Sequence, residues 1–298
     1  MSVTFEPDAD WLDWDHHPSR PAFVLPPGSV DAHCHVFGPA DVFPYAPERR
    51  YTPTDAPKEQ LFSLRDFLGF ERNVIVQGTC YGSDNSALID ALVASNDRAR
   101  GVATITPTVA EEELKRLHEA GVRAVRFNYL KRLGDTEPDE YYRRIVERIT
   151  PLGWHVVVYF EAADLAERWD FFTSLETTLV VDHMGRPDVT KDPDGPEFAQ
   201  FLRLLDEHPN VWSKVTCPDR LSMTGPPYDD VVPFARRIVE RFPDRVLTGT
   251  DWPHPNLKTH MPDDGALVDF IPRIASTPEL QRKLLVDNPL TLYWREYT

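Results

Sequence analysis

The chain has 298 residues, 41% hydrophobic and 27% charged, a balance that suits a soluble globular protein with one large core. Its 48 acidic against 32 basic residues give a formal net charge of −16, which argues against nucleic acid as the main partner. No apolar run is long enough to span a bilayer, the start has no apolar signal segment, and Cys34, Cys80 and Cys217 are too few and too widely spaced for a disulfide framework or zinc ribbon, so no membrane contact and a reducing cytoplasm are expected.

Residues 1–28 are rich in Pro, Asp and Trp and show no period, which reads as an arm packed on the outside of the domain formed by residues 29–298. The first strand is expected over Val30–Val36. A long connection follows, Phe37–Glu71, carrying Tyr45, Arg49, Arg50 and Tyr51, and a loop of that length is expected to act as a lid. Further strands are expected over Asn73–Thr79, Gly101–Ile105, Val122–Asn128, His155–Phe160, Leu179–His183, Val211–Val215 and Arg245–Thr250. Between the third and fourth, Thr108 and Glu111 have the spacing of a capping box ahead of a helix over Glu112–Ala120, with Gly121 as its stop. Ahead of the last strand, Asp229–Phe242 repeats apolar residues at Val232, Phe234, Ile238, Val239 and Phe242, a helical period. Eight strands, most with a helix between them, predict an α/β fold of the (β/α)8 TIM-barrel type, a single domain with an N-terminal arm. No glycine-rich nucleotide-binding motif follows any strand.

In such a barrel the C-terminal strand ends share one mouth. On the first strand His33 and His35 alternate with Cys34 and so point the same way. Asp251 ends the last strand and His183 the sixth. Imidazoles with a carboxylate either bind a metal or do acid–base work on a carbonyl, and spacing alone leaves both open. Arg126 and Asn128 share one face of the fourth strand. Lys131, Arg132, Arg186 and Arg220 follow strand ends, with Lys214 the alternative to Arg220 at the seventh, so an acidic chain is expected to collect cations at one face. Single arginines are usually solvated charges, but a converging set suits a substrate with more than one carboxylate. Tyr159 reads equally well as a core aromatic or a site residue.

The segments Asp31-Ala-His33-Cys-His35-Val-Phe-Gly, Phe127-Asn128-Tyr-Leu-Lys-Arg132, Asp182-His183-Met-Gly-Arg186-Pro, Thr216-Cys-Pro-Asp-Arg220 and Gly249-Thr-Asp251-Trp-Pro-His-Pro-Asn256 resemble the amidohydrolase superfamily, and within it the lactonases that open pyrone dicarboxylates. The resemblance runs from the first strand to the C-terminus. It implies hydrolysis of a small-molecule dicarboxylate lactone, 2-pyrone-4,6-dicarboxylate, to 4-oxalomesaconate, with no metal and no cofactor. It makes Arg126, Arg132 and Arg220 the carboxylate clamps, with Tyr51, Thr79, Tyr159, Arg186 and Asn256 as further binding residues. In the chemistry expected of this set, Asp251 is the general base and His33, His35 and His183 polarise the carbonyl. Metal-holding members commonly carry Lys or Glu at the fourth strand end and His at the fifth. Arg126 and Tyr159 stand there instead, which disfavours a metal pair but leaves open a single ion on His33, His35, His183 and Asp251. The alternatives are a metal-dependent decarboxylase, a sugar lactonase, or a barrel that binds a metabolite without turning it over.

Overall fold

A computed structural model describes residues 5–134 and 136–295. Eight parallel strands form one sheet in the order β1 to β8: β1 Val30–Cys34, β2 Arg72–Val76, β3 Ala99–Ala103, β4 Val122–Asn128, β5 His155–Tyr159, β6 Leu179–Val181, β7 Val211–Lys214 and β8 Val246–Leu247. Helices α1 Lys58–Leu68, α2 Ser86–Ala94, α3 Glu111–Ala120, α4 Asp139–Ile149, α5 Leu165–Thr173 and α6 Pro196–Glu207 lie between successive strands. The short α7 Pro218–Leu221 and then α8 Val232–Arg241 link β7 to β8, and α9 Asp264–Ile274, α10 Pro278–Arg282 and α11 Asn288–Tyr293 complete the chain. Backbone bonds join the sheet's ends into a barrel: the N–H of Ala32 to Thr248 O (2.9 Å), of Asp251 to His33 O (2.8 Å) and of His35 to Trp252 O (2.7 Å). Gly249 permits this closure, since a Cβ there would lie 2.3 Å from the His33 nitrogen. None of the described helices is long and apolar enough to cross a membrane.

Strand alternation sorts the core into two layers. Val30, Ala32, Val74, Val76, Val102, Ala124, Val157, Val180 and Leu247 fill the barrel, plugged from one end by Leu292, Tyr293 and Trp294 of the C-terminal segment. Cys34, Ile75, Val125, Phe127, Val156, Val158 and Val246 face outward and pack under the helices. All three cysteines are buried free thiols.

Three expectations change. The long connection is not one loop, because α1 occupies Lys58–Leu68, the place the βα alternation demands; the irregular part ends at Pro57, the cap of α1. The capping box does not form: α3 starts at Glu111 behind Ala110, with no side-chain cap, while Thr108 Oγ1 lies 3.3 Å from Thr106 Oγ1. Gly121 is the left-handed stop expected, at φ 108°. Most strands end earlier than their apolar runs, β8 after two residues, because the chain turns there to present the mouth. Residues 5–28 carry no helix or strand. They cross the mouth, where Trp11 packs on Tyr51 (5.1 Å between ring centres) and Trp14 on Trp252 (5.3 Å), and Leu12 N–H donates to Leu257 O. They then run along α9, where Asp269 accepts from the N–H groups of Ala22 and Phe23.

Candidate active site

A bulge after Asp31 resets the alternation of β1, so that Ala32 fills the barrel while His33 still reaches the mouth side, Cys34 points outward and His35 points in again. Asp31 anchors the turn after β8: its carboxylate accepts from Thr250 N–H (3.0 Å) and Thr250 Oγ1 (2.8 Å). That turn holds Asp251 at φ 66°, a left-handed conformation uncommon outside glycine, which aims its side chain into the barrel mouth. His183 is also left-handed, at φ 51°, in the tight turn after β6.

The buried centre is a chain of alternating charges. Arg126 contacts Asp182 Oδ2 (2.9 Å from Nε, 2.8 Å from Nη2), and Lys214 Nζ lies 3.1 Å from Asp182 Oδ1. Lys214 Nζ also lies 3.0 Å from His33 Nδ1, and with the ammonium donating there the His33 hydrogen sits on Nε2, facing Asp251 Oδ1 at 3.3 Å. Arg220 Nε donates to the other Asp251 oxygen at 2.9 Å, and its Nη2 to Pro255 O at 2.7 Å. Burial opposes ionisation at both aspartates. At Asp182 the fields of Lys214 and Arg126 outweigh it, and at Asp251 the field of Arg220 does, with a hydrogen bond from His33. Both carboxyls are held well below the usual range. Burial lowers the pKa of Lys214, against the pull of Asp182.

His35 donates from Nδ1 to Val76 O at 2.7 Å, so its neutral ring turns a lone pair on Nε2 toward Asp251 Oδ1, 3.2 Å away. Burial lowers its pKa, though Asp251 opposes this. Two acceptors this close call for a proton shared between them or a water beside the pair that donates to both. His183 packs against Tyr159 (4.8 Å between rings), its Nδ1 is 2.6 Å from Thr216 Oγ1, and burial puts its pKa well below the ordinary histidine value.

Above this centre lies a small cavity. Ten of the residues expected in the site line it: His35, Tyr51, Thr79, Arg126, Arg132 and Tyr159 on one side, His183, Arg220, Asp251 and Asn256 on the other. Two do not. His33 is fully buried beneath the floor, so it meets Asp251 rather than the cavity contents. Arg186 stands behind Tyr159, donating to its hydroxyl (3.0 Å) and to Glu161 (2.8 Å). Arg126 lies over the Tyr159 ring at 4.8 Å. Asp182 was not among the expected site residues, and Lys214 stood only as the alternative to Arg220 at the end of the seventh strand. The alternation of β7 does put Lys214 inward with Trp212, and Asp182 directly precedes His183; a buried charge at either inward position was the signal.

Among the described residues, His33, His35 and Asp251 bring one donor atom each within 4.8 Å of one another, as do His33, Asp182 and His183, and His183, Cys217 and Asp251. The donor types suit a divalent ion. The charges do not: Arg126 and Lys214 on Asp182 and Arg220 on Asp251 make three positive charges against two, the two sets joined through His33. A divalent ion would enter a cluster that is already net positive.

A closed parallel barrel carrying its polar cluster at the C-terminal strand ends defines a TIM-barrel enzyme. The chain belongs to the amidohydrolase family, whose pattern matches residues 30–295. It is 65% identical over 98% of both chains to the 2-pyrone-4,6-dicarboxylate hydrolase of Comamonas testosteroni. It is 40% identical to a 4-sulfomuconolactone hydrolase of Rhizobium radiobacter, covering 91% of this chain and 92% of that one. A crystal structure of a candidate 2-pyrone-4,6-dicarboxylic acid hydrolase from Pseudomonas putida superposes with a TM-score of 0.78 at 30% identity, covering 91% of this chain and 99% of that one.

Proposed function

We propose that this protein hydrolyses 2-pyrone-4,6-dicarboxylate to 4-oxalomesaconate, and that it does so without a metal. The observation that carries the reading is the convergence of Arg126, Arg132 and Arg220 on one small cavity whose floor holds Asp251 and His35. A dianion entering such a cavity loses its hydration, and guanidinium groups restore it in a geometry that fits carboxylates. The high identity to the Comamonas enzyme supports the same substrate. The three arginines also weigh against a neutral sugar lactone. Buried thiols and an acidic surface fit a cytoplasmic enzyme with no nucleic-acid partner.

In this reading a water sits on the cavity side of the His35 Nε2 and Asp251 Oδ1 pair and donates to both. Asp251 takes one of its protons as the oxygen attacks the lactone carbonyl carbon. Neutral His183, with Thr216 donating to its Nδ1, carries a hydrogen on Nε2 at the cavity wall and stabilises the developing oxyanion. The bond from carbonyl carbon to ring oxygen then breaks, and Asp251 returns the proton to that oxygen. The product is an enol that tautomerises to the keto acid. His33 works through Asp251: it relays the field of Lys214 and fixes the carboxylate's orientation. Arg126 and Lys214 supply the positive field.

The test is loss of pyrone absorbance with purified protein, before and after exhaustive chelation, alongside metal analysis. Unchanged turnover in metal-free protein is expected. Activity that disappears on chelation and returns with a divalent ion would overturn the metal-free mechanism; no turnover under any condition would overturn the substrate.

A further inference from the structure

Two residues that line the catalytic cavity stand on irregular backbone: Tyr51 in the loop after β1 and Asn256 in the loop after β8. Asn256 also lies at φ 71°, a left-handed conformation that its surroundings must hold. Side chains on such loops are poorly fixed unless something outside the loop ties them down. The N-terminal arm ties down both loops. Asp8 clasps the residue after Tyr51 twice: its N–H donates to Thr52 O at 3.0 Å, and its carboxylate accepts the Thr52 N–H at 3.2 Å. Leu12 N–H donates at 2.8 Å to the carbonyl of Leu257, the residue after Asn256. Between these clasps Trp11 lays its indole on the Tyr51 ring, with 5.1 Å between centres and 33° between planes. Trp14 bridges the same two loops again, its Nε1 donating to Asp55 O at 3.2 Å and its ring packing on Trp252. A cleft leads out beside the arm, lined by Trp11 together with Tyr51, Arg132 and Asn256, three residues that also line the cavity.

We propose that the arm is one wall of the substrate site, and that Trp11 is a positioning residue that holds Tyr51 against the bound lactone. The proposal rests on the lactonase reading of the cavity. A tilted aromatic pair is favourable beyond the area it buries, so the indole can fix a ring whose own backbone has no ladder to hold it. The clasps at Asp8 and Leu12 keep the indole itself in place, one on each side of it. Trp11 is only half-buried, so truncating it spares the barrel interior. Tyr51 grips the substrate alike before and during the reaction, and a Tyr51 that is poorly held therefore costs affinity rather than chemistry.

The test measures kcat and KM on 2-pyrone-4,6-dicarboxylate for the full-length parent, Trp11→Ala, Trp11→Phe, Tyr51→Leu and the double variant Trp11→Ala/Tyr51→Leu, with thermal melts as the folding control. Trp11→Ala should raise KM fivefold or more with kcat within twofold, and Trp11→Phe should return KM to within twofold of the parent. Added to Tyr51→Leu, the Trp11→Ala change should raise KM less than twofold further, because no tyrosine ring is left to hold. A folded Trp11→Ala with the parent's KM overturns the proposal, as does one whose kcat falls while KM stays. Full multiplication of the two KM effects in the double variant overturns it too, since Trp11 then acts on something other than Tyr51. Should Trp11→Ala fail to fold, Asp8→Ala against Asp8→Asn decides. Both lose the charge, but the asparagine keeps an oxygen for the Thr52 N–H, so KM should be threefold or more higher in the alanine variant, and equal values overturn the proposal. A parent that turns over no pyrone dicarboxylate shows that the lactonase reading itself has failed, and the proposal with it.

Discussion

Arg220 Nε lies 2.9 Å from Asp251 Oδ2 while Arg220 also lines the cavity, so one guanidinium touches both the expected base and the space where the substrate sits. In the free protein this contact holds Asp251 ionised but weakly basic. A substrate carboxylate arriving at Arg220 shares its charge and leaves Asp251 more basic at the moment a proton must be taken. Arg220→Met removes both effects. Loss of one partner of a desolvated charge pair costs about 2–5 kcal/mol, so kcat/KM should fall by about 10²–10³. Asp251 works ionised and its folded pKa is depressed, so the parent's acid limb lies below the ordinary carboxylate range. Without Arg220 the limb should move to higher pH. A pH profile that does not move in the variant would show that Arg220 does not control the base.

Asp251→Asn keeps the shape and removes the base. Turnover should fall by about 10²–10⁴, the usual worth of a positioned base. Binding should hold or tighten, because Arg220 is released from its buried partner and meets the substrate alone. Titration calorimetry with the pyrone dicarboxylate reads this directly. Near-normal turnover in Asp251→Asn would remove the aspartate from the chemistry.

Lys214 and Asp182 are both fully buried and 3.1 Å apart, beneath the site rather than in it. Lys214→Met leaves Asp182 with Arg126 as its remaining contact cation and should destabilise the fold by about 3–5 kcal/mol, as breaking a buried pair does. The double variant Lys214→Met/Asp182→Asn should recover part of that loss in a urea melt, since the buried carboxylate short of a cation is gone, and only part because Arg126 then loses its Asp182 partner. Additive losses would mean that the two groups do not interact as the distance implies.

The sequence made the barrel legible because β-branched runs recur at βα spacing, and it made the site legible because Arg, His and Asp stood at run ends. What it hid were breaks in alternation. The bulge in β1 lets Ala32 and His33 both leave the outer face, and strict alternation cannot anticipate that. The apolar run Val246–Leu247 is followed by Thr248 and Gly249, which extend the period but leave the ladder to carry Asp251. Asp182 escaped notice, and Lys214 stood only as the alternative to Arg220, for a physical reason: a buried charge is tolerable only when its partners arrive from other strands, here Arg126 and His33, and no local pattern shows that. Arg186 is expected among the further binding residues, yet Glu161 and Tyr159 draw it out of the cavity.

Asp31 makes stability depend on pH in the direction opposite to the site carboxylates. Burial pushes its pKa from 3.8 up to about 6, against the hydrogen bonds from Thr250 and His33. The folded pKa is raised, so the folded state binds the extra proton between the two values. The stability this contributes is full below about pH 4 and is lost as pH rises through 6. The span corresponds to about 3 kcal/mol at about 1.4 kcal/mol per unit. Asp31→Asn should cancel it: the amide oxygen can accept the His33 and Thr250 N–H groups, and the amide nitrogen can donate to Thr250 Oγ1. At pH 7.5 the variant should therefore match or exceed the parent in a urea melt, and the difference should shrink as the pH falls toward 4. A variant less stable than the parent at pH 7.5, with a gap unchanged at pH 4, would mean that the carboxylate is ionised in the fold and holds the turn below Asp251 as an anion.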